Sequence, residues 1–163
     1  MRNKKVLFVA QAALIAAIYV VLTYFISAFN LASGAIQVRI SEALTILPFF
    51  TSAAIPGLTI GCFLSNLLTG CLPMDVLFGS LATLLGALGS YLVRRHRWLV
   101  PLPPVIANTV IVPYVLAYVY GAEGSIPFFM VTVGAGEIIS CYVLGSILMN
   151  ALLPYRNILF RNE

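Results

Sequence analysis

The stretch QVRISEALTILPFF, residues 37–50, places a charged pair directly before a very apolar segment. Arg39 and Glu42 are three residues apart, so on a helix they share a face and can contact each other or one ligand. Only 9% of the residues are charged. A pair in this position indicates either a snorkelled ion pair at a membrane surface or a gate that contacts a ligand.

The composition predicts an integral membrane protein. Of the 163 residues, 61% are hydrophobic, whereas a soluble domain carries about 25% charged residues. The apolar runs are continuous rather than alternating, which favours helices over a β-barrel. We therefore expect one all-α transmembrane domain over residues 1–163, within the lipid bilayer of the cell membrane. The net charge of +4 does not indicate nucleic-acid binding, because the basic residues fall into separate clusters.

Six membrane spans are predicted, and the first apolar run is too long for a cleaved signal peptide. The breaks include a loop at residues 29–40, a tight turn at Pro56–Gly57 and a turn at residues 121–125. The second and third spans are shorter than the roughly 20 residues that a full crossing needs. The predicted spans cover residues 6–28, 41–54, 58–71, 76–93, 104–120 and 126–153.

The basic residues predict the orientation. With six spans both termini lie on one side, and eight of the nine basic residues fall there, namely Arg2, Lys4, Lys5, Arg94, Arg95, Arg97, Arg156 and Arg161. By the positive-inside rule this side is cytoplasmic. Arg39 is then the basic residue on the outer side.

Glu137 lies about 16 Å into the sixth span, where a charge costs at least ~2.5 to 3.5 kcal/mol on insertion scales. We expect it to face the bundle interior. Asn108 lies about 18 Å from the same surface, so the two side chains can meet at one depth. A carboxylate and an amide together can recognise a purine-like edge. A structural hydrogen bond between helices is the alternative.

Two further polar residues have competing interpretations. Asn66 lies about 8 Å below the end of the third span, where an amide either contacts a ligand or joins two helices. Asp75 opens the fourth span, a position typical of a helix N-cap.

Small residues on the first span predict close helix contacts. Ala12 and Ala16, with Ala13 and Ala17 beside them, form two overlapping AxxxA patterns. Such faces let helices approach closely. They indicate either packing inside the bundle or a docking face for another membrane subunit.

Absent motifs argue against an enzyme. The only lysines are Lys4 and Lys5, so the chain has no GxxxxGK[ST] phosphate loop. His96 is the only histidine, which excludes an HExxH motif and a catalytic triad. The three cysteines are far apart and are predicted to be small buried hydrophobes. We therefore expect no catalytic residue, metal or cofactor, and a substrate-binding membrane protein without its own ATPase.

Five runs of the chain resemble the QueT family of queuosine-precursor transporters, which are of the energy-coupling-factor (ECF) type. The similarity extends over nearly the whole chain. The runs are VRISEALTILPFF (38–50), AAIPGLTIGCFLSNL (53–67), DVLFGSLATLLGALGSYL (75–92), PLPPVIANTVIVP (101–113) and VGAGEIISCYVLG (133–145).

This resemblance implies a six-helix substrate-binding subunit, an S-component, that captures queuine or a related deazaguanine outside the cell. It would dock on a transmembrane T-component carrying two cytosolic ATPases, through an alanine pattern in the first helix that matches Ala12, Ala13, Ala16 and Ala17. Within the matching runs the substrate-binding candidates are Arg39, Glu42, Asn66, Asn108 and Glu137. The alternatives are a proton-coupled carrier that works alone, an S-component for a different vitamin, and a structural helix bundle.

Overall fold

The computed structural model describes residues 4–28 and 39–160, and these residues form helices and no β-strand. The predicted all-helical class is confirmed. Within this described part of the chain, four helices are long and apolar enough to cross a membrane, and two apolar helices are shorter, at Ile40–Phe49 and Ala54–Leu68. The four long helices cover Lys4–Ser27, Pro73–Leu92, Leu102–Val119 and Ile126–Leu159.

The helices follow the predicted spans closely. The loop predicted at residues 29–40 lies, as far as residue 38, outside the described part of the chain. The elements are α1 (Lys4–Ala28), a 3-10 helix (Ile40–Phe49), α2 (Ala54–Leu68), α3 (Pro73–Leu92), α4 (Leu102–Tyr114) with a π-helical end (Val115–Val119), α5 (Ile126–Glu137), a π-helical segment (Ile138–Leu144), α6 (Gly145–Leu152), a 3-10 turn (Leu153–Tyr155) and α7 (Arg156–Leu159).

The second predicted span is a 3-10 helix and not an α-helix. It contacts α1, α2, α3, α6 and the π-helical segment that precedes α6, and residues 41–48 are all buried. A 3-10 helix rises about 2.0 Å per residue, so ten residues extend about 20 Å, where an α-helix of equal length would extend about 15 Å. The extended geometry lets a short apolar segment pass through the centre of the bundle.

The turn predicted at Pro56–Gly57 is wrong. Both residues lie inside α2, which begins at Ala54. Proline is compatible with the first turn of a helix, because the amide hydrogens there have no partner in the helix. For the same reason Pro73 can begin α3, three residues earlier than predicted.

Helices α1 and α2 pack closely through small residues. A side-chain carbon added to Gly57 would lie 2.8 Å from the carbonyl oxygen of Ala12, and one added to Gly61 would lie 3.1 Å from the Cα of Ala16. Ala12 and Ala16 are therefore buried by the chain's own second α-helix. The neighbouring alanines of the second AxxxA pattern, at positions 13 and 17, are exposed.

An apolar cluster fills the bundle around the 3-10 helix. Cys62 belongs to it and Cys141 is also buried, as predicted for both, whereas Cys71 is partly exposed. The described members of the cluster are Ile15, Tyr19, Leu44, Ile46, Leu47, Phe50, Ala54, Leu58, Cys62, Ala87, Val100 and Met149. We call this set the apolar core.

Candidate functional site

Two adjoining cavities lie beside the N-terminal end of the 3-10 helix. The first, which we call the wide cavity, has a volume of about 370 Å³ and lies among the C-terminal ends of α1 and α2, the start of α3 and the end of α4. The second, the narrow cavity, measures about 20 Å³, which is room for one water molecule. Arg39, Asp75 and Val112 line both cavities, so the two cavities share a wall.

All five residues predicted to bind substrate line these cavities. Asn66 faces the wide cavity, and Arg39 lies where the two cavities meet. Glu42, Asn108 and Glu137 line the narrow cavity, and their exposed fractions are 1%, 4% and 7%. The structure thus brings polar groups from four separate elements into one continuous site. Glu42 lies beside Glu137, and Arg39 lines the same narrow cavity.

Two carboxylates face each other in the narrow cavity. Ligand atoms of Glu42, Glu137 and Cys141 all lie within 4.8 Å of one another. Tyr19 donates a hydrogen bond to Oε1 of Glu42, and the Cys141 thiol donates to Oε2 of Glu137 at 3.3 Å. The Asn108 side chain lies next to both carboxylates. Two acids this close repel each other when both are ionised, so the pair is suited to hold a proton or a bound donor.

One oxygen of this pair has no hydrogen-bond partner among the residues that the structure describes. It is Oε2 of Glu42, which is buried. An unsatisfied buried polar atom costs about 1 to 3 kcal/mol, and more when it is charged. Because Glu42 lines the narrow cavity, a ligand with N–H or O–H groups could supply the missing donor.

Among the described residues, Glu42, Glu137 and Cys141 lie close enough together to hold a metal ion. A cysteine binds metal as a thiolate. In this structure the thiol of Cys141 instead donates its hydrogen to Glu137 at 3.3 Å, and the backbone oxygen of Glu42 lies 3.6 Å from the sulfur. The arrangement therefore fits a protonated, hydrogen-bonded cluster better than a metal centre.

Asp75 belongs to the site and is not the N-cap predicted from its position. Leu72 occupies the N-cap of α3, while Asp75 is buried and its Oδ2 accepts a hydrogen bond from the Tyr120 hydroxyl at 2.8 Å. The same hydroxyl accepts the amide hydrogen of Leu72 at 3.3 Å. Partial burial and the bond to Asp75 raise the pKa of Tyr120 above its ordinary value, so the hydroxyl keeps the proton that it donates.

Asn66 and Asp75 converge over Gly79. A side-chain carbon added to this glycine would lie 2.9 Å from Nδ2 of Asn66 and 3.6 Å from Oδ1 of Asp75. Contacts shorter than about 3.0 Å force one partner to move. The glycine thus leaves room for the amide of α2 beside the carboxylate of α3 at the wall of the cavities.

Two π-helical segments adjoin the site. Val115–Val119 ends directly before Tyr120, and Ile138–Leu144 begins directly after Glu137. Such segments are rare and are frequent at functional sites, because the wider turn redirects the side chains around it. Cys141 lies inside the second segment and points to Glu137, four residues earlier.

Sequence reasoning missed Tyr19, which is 1% exposed and donates to Glu42. A tyrosine in the middle of an apolar span is itself a signal, because its hydroxyl needs a partner when buried. Tyr120 was indistinguishable from the other aromatic residues near helix ends, where tyrosine is common for other reasons.

Comparisons with known proteins agree with the resemblance. The family model described as QueT transporter matches residues 9–154. A Queuosine precursor transporter QueT from Lactococcus lactis subsp. cremoris (strain MG1363) is 37% identical over 98 residues, which are 60% of this chain and 57% of that protein. No solved structure matches. This chain therefore belongs to the QueT transporter family.

Proposed function

We propose that this chain is the substrate-binding S-component of an ECF-type transporter and binds a queuosine precursor, queuine or a related deazaguanine, in the two adjoining cavities. The observation that carries the proposal is Oε2 of Glu42, which has no hydrogen-bond partner within residues 4–28 and 39–160 and lies in a buried cluster with Glu137 and Asn108. A deazaguanine presents a ring N–H and an exocyclic amine side by side. These donors complement two carboxylates and an amide oxygen.

The wide cavity supports a ligand of this size. Its volume of about 370 Å³ falls in the range of small-molecule pockets, roughly 300–1,000 Å³. In the proposed pose the donor edge of the base reaches the narrow cavity, and the rest of the ring occupies the wide one. Asn66 and Arg39 then contact the ring from the side.

The proposed orientation puts the wide cavity outside the cell and both termini in the cytoplasm. Of the described basic residues, Arg39 lines the cavities, whereas Arg94, Arg95 and Arg97 lie in the link between α3 and α4. That link is at the opposite end of α3 from Asp75. On this orientation the chain captures ligand from outside and docks on a T-component with two cytosolic ATPases, which the resemblance to ECF-type transporters supports.

Binding of ligand tests the proposal. The full chain in lipid nanodiscs should bind a deazaguanine saturably in isothermal titration calorimetry. Glu137→Gln should weaken binding about 10- to 100-fold, because it removes a charge-assisted hydrogen bond. Glu123→Gln, which changes an exposed acid outside both cavities, should leave affinity unchanged. Binding of another vitamin and of no deazaguanine would refute the substrate assignment.

The docking face is proposed on the exposed alanines, Ala13 and Ala17. Their partners in the first AxxxA pattern are covered by α2. Changing both exposed alanines to tryptophan should abolish uptake in cells while the isolated chain still binds ligand. Val131→Trp, an exposed residue of α5, is the control and should leave uptake intact. Unimpaired uptake in the double variant would remove this face from the proposal.

A proton-coupled carrier is the second candidate, favoured by the closeness of the Glu42 and Glu137 carboxylates. Proteoliposomes holding this chain alone distinguish the two functions. A carrier accumulates deazaguanine when a pH gradient is imposed. An S-component only binds it and needs its partner subunits and ATP for uptake.

A further inference from the structure

The charges on the cavity walls are unequal. The described residues that line the wide and narrow cavities include three carboxylic acids, Glu42, Asp75 and Glu137, and one cation, Arg39. Even when the Glu42–Glu137 pair holds one proton, two negative charges face one positive charge. In a site of low dielectric this excess is not screened as it would be in water. A ligand with one positive charge would balance it.

Asp75 lies where it could contact the positive charge of such a ligand. It lines both cavities, so it is at their junction. Its Oδ2 is bonded to Tyr120, and its Oδ1 points toward Gly79. The Tyr120 hydroxyl fixes the carboxylate without neutralising it, since a neutral donor carries no charge. An acid held in this way can accept a charge-assisted hydrogen bond from a ligand.

The ligand's shape directs its substituent to this junction. In a deazaguanine, the ring N–H and exocyclic amine lie at one end, and the substituent of the five-membered ring lies at the other. When the donor edge contacts Glu42 and Glu137, the substituent points back toward the wide cavity. We propose that Asp75, positioned by Tyr120, makes this site select precursors with a protonated amine on that substituent over precursors with a neutral nitrile.

Arg39 is the competing group, because its guanidinium could donate to a nitrile nitrogen. Its positive charge already interacts with the carboxylates of Glu42 and Asp75, and the acids that line the cavities outnumber it. The excess of acid therefore sets the preference. This inference rests on the proposed function, since it assumes that a deazaguanine binds here.

The test compares ligands on the full chain in nanodiscs by calorimetry at neutral pH. The aminomethyl-bearing deazaguanine should bind about 10- to 100-fold more tightly than the nitrile-bearing one. A third ligand, in which a methyl group replaces the amine, should bind like the nitrile. Equal affinities for all three, or a preference for the nitrile, would overturn the inference. Binding of none of them would refute the proposed function instead.

Variants of the chain test whether Asp75 causes this preference. Asp75→Asn keeps an oxygen that accepts from Tyr120, and it should weaken the aminomethyl ligand alone, so that the two affinities come within about threefold. Retained binding of the nitrile ligand shows that the variant is folded. Glu123→Gln is the matched control and should keep the wild-type preference. An unchanged preference in Asp75→Asn would show that a group other than Asp75 binds the amine.

Discussion

The two ends of the 3-10 helix lie in opposite surroundings. At its N-terminal end, Arg39 and Glu42 border the cavities, where polar groups from several helices meet. Farther along, Leu44, Leu47 and Phe50 belong to the apolar core. Glu42 at one end and Phe50 at the other are both almost completely buried. The two places differ in whether each buried side chain already has its packing or hydrogen-bond partners among the described residues.

This contrast separates binding from stability. In the apolar core the aliphatic side chains are satisfied by packing alone, so changes there should affect the folded state. In the cavities, Oε2 of Glu42 accepts no hydrogen bond from the described residues, and the proposed ligand would supply the missing donor. Changes among the cavity residues should therefore affect affinity more than stability.

The largest expected effect is in the apolar core. Leu58→Ala removes a side chain that is completely buried between helices and should lower the free energy of unfolding by about 2 to 4 kcal/mol. The measurement is unfolding in detergent mixtures. Leu67→Ala on the same helix, where leucine is 57% exposed, should cost much less. Loss of ligand affinity in folded Leu58→Ala would contradict the expectation that the apolar core affects stability and the cavities affect binding.

A smaller effect is expected at the wall of the cavities. Gly79→Ala inserts a carbon that pushes the Asn66 amide away, and the loss of one hydrogen bond to ligand should weaken binding about 2- to 10-fold. Gly134→Ala makes milder contacts with Thr109, at 3.3 and 3.4 Å, and is the control. Calorimetry would contradict the expectation if both variants bound equally well.

The smallest effect is expected at the edge of the site. Tyr120→Phe removes the hydroxyl that donates to Asp75, so the carboxylate is held less firmly. Affinity for the aminomethyl ligand should fall about two- to fivefold, in line with one neutral hydrogen bond. Tyr118→Phe, on an exposed ring that stacks on Tyr114, should change nothing. A larger effect at Tyr118 would place the ligand elsewhere.

The sequence predicted the membrane class and most helix positions, because long apolar runs have few alternatives. It also selected five polar residues that the structure brings together. Glu137 and Asn108 were identifiable because a polar side chain in an apolar span must face other protein groups or a cavity. The apolar surroundings that a membrane span requires thus made these two candidate residues recognisable in the sequence.

Other features depend on contacts between distant parts of the chain and could not be predicted from a single segment. The AxxxA patterns did not tell which alanine pair faces α2, because both pairs have the same spacing. Asp75 looked like an N-cap because the bond from Tyr120 joins residues that are 45 positions apart. The 3-10 geometry of Ile40–Phe49 depends on five neighbouring elements and has no clear local signal.

The geometry of that 3-10 helix has a mechanical consequence. Its hydrogen bonds join residues three apart, and shifting each to the next amide would give an α-helix about 5 Å shorter. Such a rearrangement would move Arg39 by about 5 Å and Glu42 by about 3.5 Å relative to Phe49, and it would also turn their side chains about the helix axis. A change of hydrogen-bond register would therefore alter both the depth and the lining of the narrow cavity.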